Sequence, residues 1–143
     1  MRTTHATELA WAAGLYDGEG CTTLSVDRRP GGYSSLRVQV NQAHRTEVLE
    51  RFAIAVGKPR RIVGPYDCPN ETYYFQAVSE DALDIIFEMW PHLSAPKREQ
   101  AQRVIDAWYV DLAKPRVARL KGVVADKRVQ LRKQIDKWRL THE

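Results

Sequence analysis

Ala12-Ala13-Gly14-Leu15-Tyr16-Asp17-Gly18-Glu19-Gly20 is the stretch that decides how this chain is read. It closes an apolar run over residues 9–16, and Thr4 and Thr7 ahead of it are placed to cap a helix, with Glu8 where a helix start favours an acid. The pattern predicts a helix over 9–17, stopped by Gly18 and Gly20. Ala10, Ala13, Gly14 and Asp17 fall at i, i+3, i+4 and i+7, a row of small residues along one face. Leu9, Trp11, Ala12, Leu15 and Tyr16 cover the rest, so the helix is apolar nearly all round and is expected to be buried on two sides. Small residues let two helix backbones come close, which suggests that the second side meets another copy of the same helix. Asp17 and Glu19 stand at the helix C-terminus, where the macrodipole disfavours acids. Oxygen ligands gathered there make sense if a divalent cation neutralises them, and carboxylate and carbonyl oxygens suit Mg²⁺.

Outward from this helix, residues 21–29 alternate, Thr23, Ser25, Asp27 and Arg29 against Thr22, Leu24 and Val26. Pro30-Gly31-Gly32 signals a hairpin. Residues 35–42 alternate again, Leu36, Val38 and Val40 against Ser35, Arg37, Gln39 and Asn41. Residues 45–56 have helical spacing at Val48, Phe52 and Val56, with Gly57 as the stop. A second hairpin joins 59–66 to 72–78 across the turn-rich 67–70, and in its second strand Thr72, Tyr74 and Gln76 share a face. Ser79, Glu80 and Asp81 open a helix to about Trp90. Pro91 breaks it, and Ser94 with Pro96 starts another to about Ala113. Beyond Pro115, Val117, Leu120, Val124, Leu131, Ile135 and Trp138 make an apolar stripe on a basic helix. The order is α-β-β-α-β-β-α-α with a tail helix. It predicts an α+β fold: a four-stranded antiparallel sheet with helices on one face, residues 1–113 as the core and 114–143 as a basic helical extension.

The chain has 143 residues, the length of one domain. Two cysteines, Cys21 and Cys68, are too few for a disulfide framework or a zinc site. The apolar run of eight residues is far short of a membrane span of about 20, and the N-terminus lacks a signal-peptide layout. A soluble intracellular protein of the cytoplasm, nucleoid or an organelle matrix is expected. The net charge of +4 is unevenly placed: residues 114–143 carry ten basic and three acidic side chains. A basic tail on a near-neutral body fits a polyanion partner, and nucleic acid before membrane, since no apolar anchor accompanies it. A solvated helix face is the plainer alternative. The polar face of the sheet carries mixed donors and acceptors suited to base edges in a major groove, although one wet face is also ordinary for an antiparallel sheet.

The stretch 12–20 resembles the LAGLIDADG motif of a family of homing endonucleases. Ala13, Gly14, Leu15, Asp17 and Gly20 match directly. Ala12 stands for the first Leu, Tyr16 for Ile, Gly18 for the second Ala and Glu19 for the second Asp. The element order matches the family's core, and the resemblance covers residues 7–113. It implies metal-dependent hydrolysis of both strands of double-stranded DNA, with Glu19 as metal ligand and the backbone carbonyl of Gly18 completing the inner shell. Mg²⁺ is the implied ion, with Ca²⁺ or Mn²⁺ as stand-ins. Gln42 occupies the place of a Gln that holds the water network, and Lys97 that of a Lys near the scissile phosphate. Glu19, Gln42 and Lys97 are thus the implied catalytic set, and Asp17 fits helix packing or capping better than metal binding.

One motif copy implies a homodimer across Ala10, Ala13, Gly14 and Asp17, acting on a long near-palindromic target. The recognition face then comprises Thr23, Ser25, Asp27, Arg29, Tyr33, Ser35, Arg37, Gln39 and Asn41, with Thr72, Tyr74 and Gln76. Arg61 joins them in one of two possible registers. Lys121, Lys127, Arg128, Arg132 and Lys133 on the tail would be phosphate contacts, which position rather than specify. A non-cleaving DNA- or RNA-binding protein on the same scaffold, a transcription regulator or intron maturase, is the alternative. The acid kept at Glu19 favours cleavage.

Overall fold

The computed structural model describes residues 4–28, 34–59, 61–67, 70–114 and 123–142. Along them run α1 (Thr4–Glu19), β1 (Gly20–Val26), β2 (Ser34–Ala43), α2 (Glu47–Ala55), β3 (Ile62–Tyr66), β4 (Thr72–Val78) and α3 (Ser79–Met89). A short 3-10 turn (Trp90–His92), α4 (Ala95–Ala113) and α5 (Val123–His142) follow. The strands form one antiparallel sheet in the order β1-β2-β4-β3. The fold is the expected α+β arrangement, a four-stranded antiparallel sheet flanked by helices with an extra C-terminal helix.

Alternation sets the two faces of the sheet. Leu36, Val38 and Val40 of β2 and Phe75 and Ala77 of β4 are buried, while Ser35, Arg37 and Gln39 between them are half-buried. The buried set packs under Phe52 of α2, Leu83 and Ile86 of α3, and Ile105 and Trp108 of α4. Phe75 meets the Phe52 ring edge-on at 5.0 Å. Acids occupy the first turns of α2 (Glu47, Glu50) and α3 (Glu80, Asp81), where the helix dipole favours them. Among the described residues no helix is long and apolar enough to cross a membrane.

Several boundaries differ from the sequence reading. α1 runs on through Gly18 to Glu19, and β1 starts at once at Gly20, so the two elements join without a loop. β1 ends at Val26, short of Arg29. The hairpin turn at Pro30-Gly31-Gly32, and Val117 and Leu120 of the tail stripe, lie outside the described residues. The remaining stripe behaves as read: Leu131 and Ile135 are buried, and Trp138 stacks on Phe87 of α3 at 4.6 Å and meets Trp90 edge-on at 4.8 Å. α5 therefore packs on the helical layer, against α4 and α3.

Candidate functional site

α1 carries the acidic end of the site. Ala12, Ala13 and Tyr16 are fully buried within the chain, while Ala10, Gly14, Gly18 and Glu19 are exposed. The exposed row of small residues is thus Ala10, Gly14 and Gly18, spaced i, i+4, i+8. Ala13 is corrected to a core position, and Asp17 is half-buried and hydrogen-bonded. The Tyr16 hydroxyl shares a 2.6 Å hydrogen bond with Thr22 Oγ1. Burial pushes its phenol far above the ordinary value, and the Thr22 bond offsets part of that rise. The Tyr16 ring also passes so close to residue 20 that a Cβ there would lie 2.1 Å from Cδ1, which only glycine avoids.

The start of α4 closes on this junction. The backbone N–H of Ser94 donates to Asp17 Oδ1 at 3.0 Å, and Lys97 Nζ donates to the Gly20 carbonyl at 2.5 Å. The backbone N–H of Thr22 donates to Gln100 Oε1 at 3.3 Å. Residues 94, 97 and 100 lie one turn apart, so a single ridge of α4 holds residues 17–22 in place. A lysine at a helix N-terminus opposes the dipole. Here the carbonyl end of α1 and the Asp17 carboxylate supply the compensating negative charge. Lys97 is thereby brought beside Glu19's neighbour, with its ammonium engaged by a backbone carbonyl.

Gln42 lies at the same end of the sheet, two residues beyond Val40, which is opposite Gly20. Its parity is that of the core-facing residues of β2, and it is half-buried at the rim. Among the described residues no three His, Cys, Asp or Glu side chains gather as a metal cluster. Mg²⁺ is commonly held by one or two carboxylates, with waters and phosphate oxygens filling its octahedron. The exposed Glu19 carboxylate and the Gly18 carbonyl, at the negative end of α1, are an oxygen-only donor set that fits a partial site of this kind.

The uncovered face of the sheet is ordered in cross-strand rows. Cys21 faces Gln39, which faces Gln76, and Gln76 Nε2 donates to Gln39 Oε1 at 3.4 Å. In the next row Thr23 faces Arg37, whose Nη2 donates to Ser25 Oγ at 3.3 Å while its Nε is buried without a partner. Asn41 faces Tyr74 in the row nearest Glu19. Asp27 follows β1 and is half-buried, and Ser35 is opposite Ser25. Thr72, the first residue of β4, has the right parity but is buried, its hydroxyl donating to the Asn70 carbonyl of the preceding turn at 3.0 Å. Arg61 is exposed and paired with Asp81 at 2.5 Å, which draws its guanidinium toward the start of α3. Arg29, Tyr33 and Lys121 lie outside the described residues.

The tail residues are mostly committed elsewhere. Arg128 is buried, donating to the Asp111 carbonyl at 2.5 Å with Asp111 Oδ2 at 3.8 Å, and is corrected from phosphate contact to structural residue. Lys127 pairs with Glu80, and the Arg132 guanidinium lies over the Tyr109 ring at 4.4 Å. Lys133 is exposed. Sequence reasoning missed Cys21 on the open face, although the alternation of Thr23 and Ser25 runs back to it. It also missed Gln100, whose contact with Thr22 spans 78 positions and leaves no local signal.

No protein-family model and no curated protein sequence matches the chain. Solved structures do. The homing endonuclease I-CvuI, in complex with the I-CreI target, superposes with a TM-score of 0.63 at 17% identity, over 94% of this chain and 98% of that one. The LAGLIDADG meganuclease I-AabMI, bound to uncleaved DNA, gives 0.57 at 20% identity, over 72% of this chain and 36% of that one. The LAGLIDADG homing endonuclease I-SmaMI, bound to cleaved DNA, gives 0.55 at 18%, over 87% and 42%. At these identities the likeness speaks for architecture: the chain has the fold of the LAGLIDADG homing endonucleases.

Proposed function

We propose that the protein is a site-specific double-strand DNA endonuclease, a homodimer that hydrolyses phosphodiester bonds with Mg²⁺. The observation that carries this reading is the placement of Glu19. An exposed carboxylate stands at the end of α1, level with Asn41 in the rows of the uncovered sheet face, on a scaffold that DNA-bound endonucleases share. A divalent cation held there would neutralise phosphate charge and lower the pKa of an attacking water. Glu19 and the Gly18 carbonyl supply its protein oxygens, and Gln42 at the rim orients solvent. Lys97 holds Gly20 and adds positive charge near the place a phosphate would occupy.

The exposed row Ala10, Gly14 and Gly18 supports pairing of two α1 helices, which would set two Glu19 carboxylates side by side. Each protomer would lay its sheet in the major groove of one half of a near-palindromic site. The test incubates the protein with a random-sequence duplex library and Mg²⁺ and maps the ends. Sequence-specific breaks that vanish in Glu19→Gln support the proposal. Enriched but uncut sites would leave a DNA-binding module, and an unenriched library would refute DNA recognition.

A further inference from the structure

The uncovered face of the sheet is chemically divided. Its β1–β2 half presents hydroxyl, amide and guanidinium groups, Thr23, Ser25, Arg37 and Gln39 among them. The β3–β4 corner differs. Val63 pairs with Tyr74, and antiparallel partners share a face, so Val63 stands beside Tyr74 on the uncovered side. Across a bulge in β3, the Tyr66 ring comes back to 5.6 Å from the Tyr74 ring. Val63 is 37% and Tyr66 50% exposed, so methyls and ring faces are held open to water where polar side chains would cost nothing.

β3 is the edge strand, and Pro65 within it has no N–H to give an added strand. The corner therefore offers side-chain surface rather than backbone. In the major groove the apolar group that a base pair displays is the thymine C5 methyl. We infer that Val63, Tyr66 and Tyr74 form a thymine-reading corner, which fixes A·T pairs at one segment of each half-site while the β1–β2 half reads by hydrogen bonds. This rests on the sheet being the DNA-facing surface and adds the base class that one part of it selects.

The experiment selects bound duplexes from a random library, then replaces each thymine of the selected site singly by deoxyuridine, which removes the methyl alone. One short block in each half-site should lose affinity, roughly fourfold per methyl. Val63→Ser removes both methyls and leaves a hydroxyl in their place, and it should erase the thymine–uracil difference at a position within that block. A selected site whose uracil substitutions are all silent, or whose penalties persist in Val63→Ser and in Tyr66→Ser, overturns the inference and leaves DNA recognition standing. A library with no enrichment removes DNA recognition itself, and the thymine corner with it.

Discussion

Asp17, in the last turn of α1, takes the backbone N–H of Ser94 on its Oδ1 at 3.0 Å, joining the end of one helix to the start of another across 77 positions. The acid is misplaced on its own helix, where the C-terminal dipole repels it, and well placed on α4, whose N-terminal dipole attracts it. Ser94 makes no side-chain cap of its own, so Asp17 serves as the cap from outside. Asp17→Ala is expected to lower stability by about 1 kcal/mol, and Asp17→Asn by less, since its amide oxygen still accepts the bond. Urea denaturation at neutral pH measures both, and an unchanged midpoint in the alanine variant would show that the contact contributes nothing.

Gly14 separates dimerisation from folding. A Cβ added there meets nothing within 4 Å inside the chain, so Gly14→Leu has room in the protomer. Leucine is also the better helix former, by roughly 0.5–1 kcal/mol. If α1 pairs with its copy along Ala10, Gly14 and Gly18, the variant should sediment as a folded monomer with circular dichroism and protomer stability intact. A folded dimer would place the subunit contact elsewhere.

The elements that the sequence revealed are those whose burial is local. Leu36, Val38 and Val40 alternate because one sheet face is dry; of the spacing Val48, Phe52 and Val56, Phe52 and the C-cap Val56 are buried while Val48 is only half-buried. The misfit of Asp17 at a helix C-terminus signals a compensating positive group; the sequence suggests a divalent cation, and the fold supplies the N-terminus of α4. Ala13 was misassigned because spacing alone does not say which of two apolar faces meets the chain's own core. Arg128 was legible in hindsight: it sits three residues before Leu131 and seven before Ile135, on the same buried stripe. The contacts of Lys97 and Gln100 with residues 20–22 depend on how α4 docks, which no local pattern encodes.

Arg128 supplies a test of that revised role. Its guanidinium and the Asp111 carboxylate are both buried, and removing one partner leaves the other desolvated. Arg128→Ala should cost about 3 kcal/mol, while Arg128→Met, which keeps volume, should cost less. Neither should change the salt dependence of DNA binding once folded protein is compared, whereas Lys133→Ala, at an exposed position, should reduce that slope if the tail touches phosphate. A fall in salt slope for Arg128→Met at unchanged stability would return Arg128 to the phosphate-contact set.

Tyr16 gives a pH signature for the α1–β1 junction. Its buried hydroxyl is bonded to Thr22, itself buried, so Tyr16→Phe strands the threonine hydroxyl and should cost about 1 kcal/mol at pH 7. Burial raises the folded pKa above the unfolded value of about 10. Below pH 10 neither state ionises and the advantage of tyrosine is fully present. Above it the unfolded chain releases the proton that the folded chain keeps, and the advantage falls by up to about 1.4 kcal/mol per pH unit. Wild type and Tyr16→Phe should therefore approach equal stability near pH 10.5, read from denaturant midpoints at pH 7, 10 and 10.5. A gap that stays constant across that range would mean that the phenol ionises as readily in the fold as out of it, and that the junction is open to water.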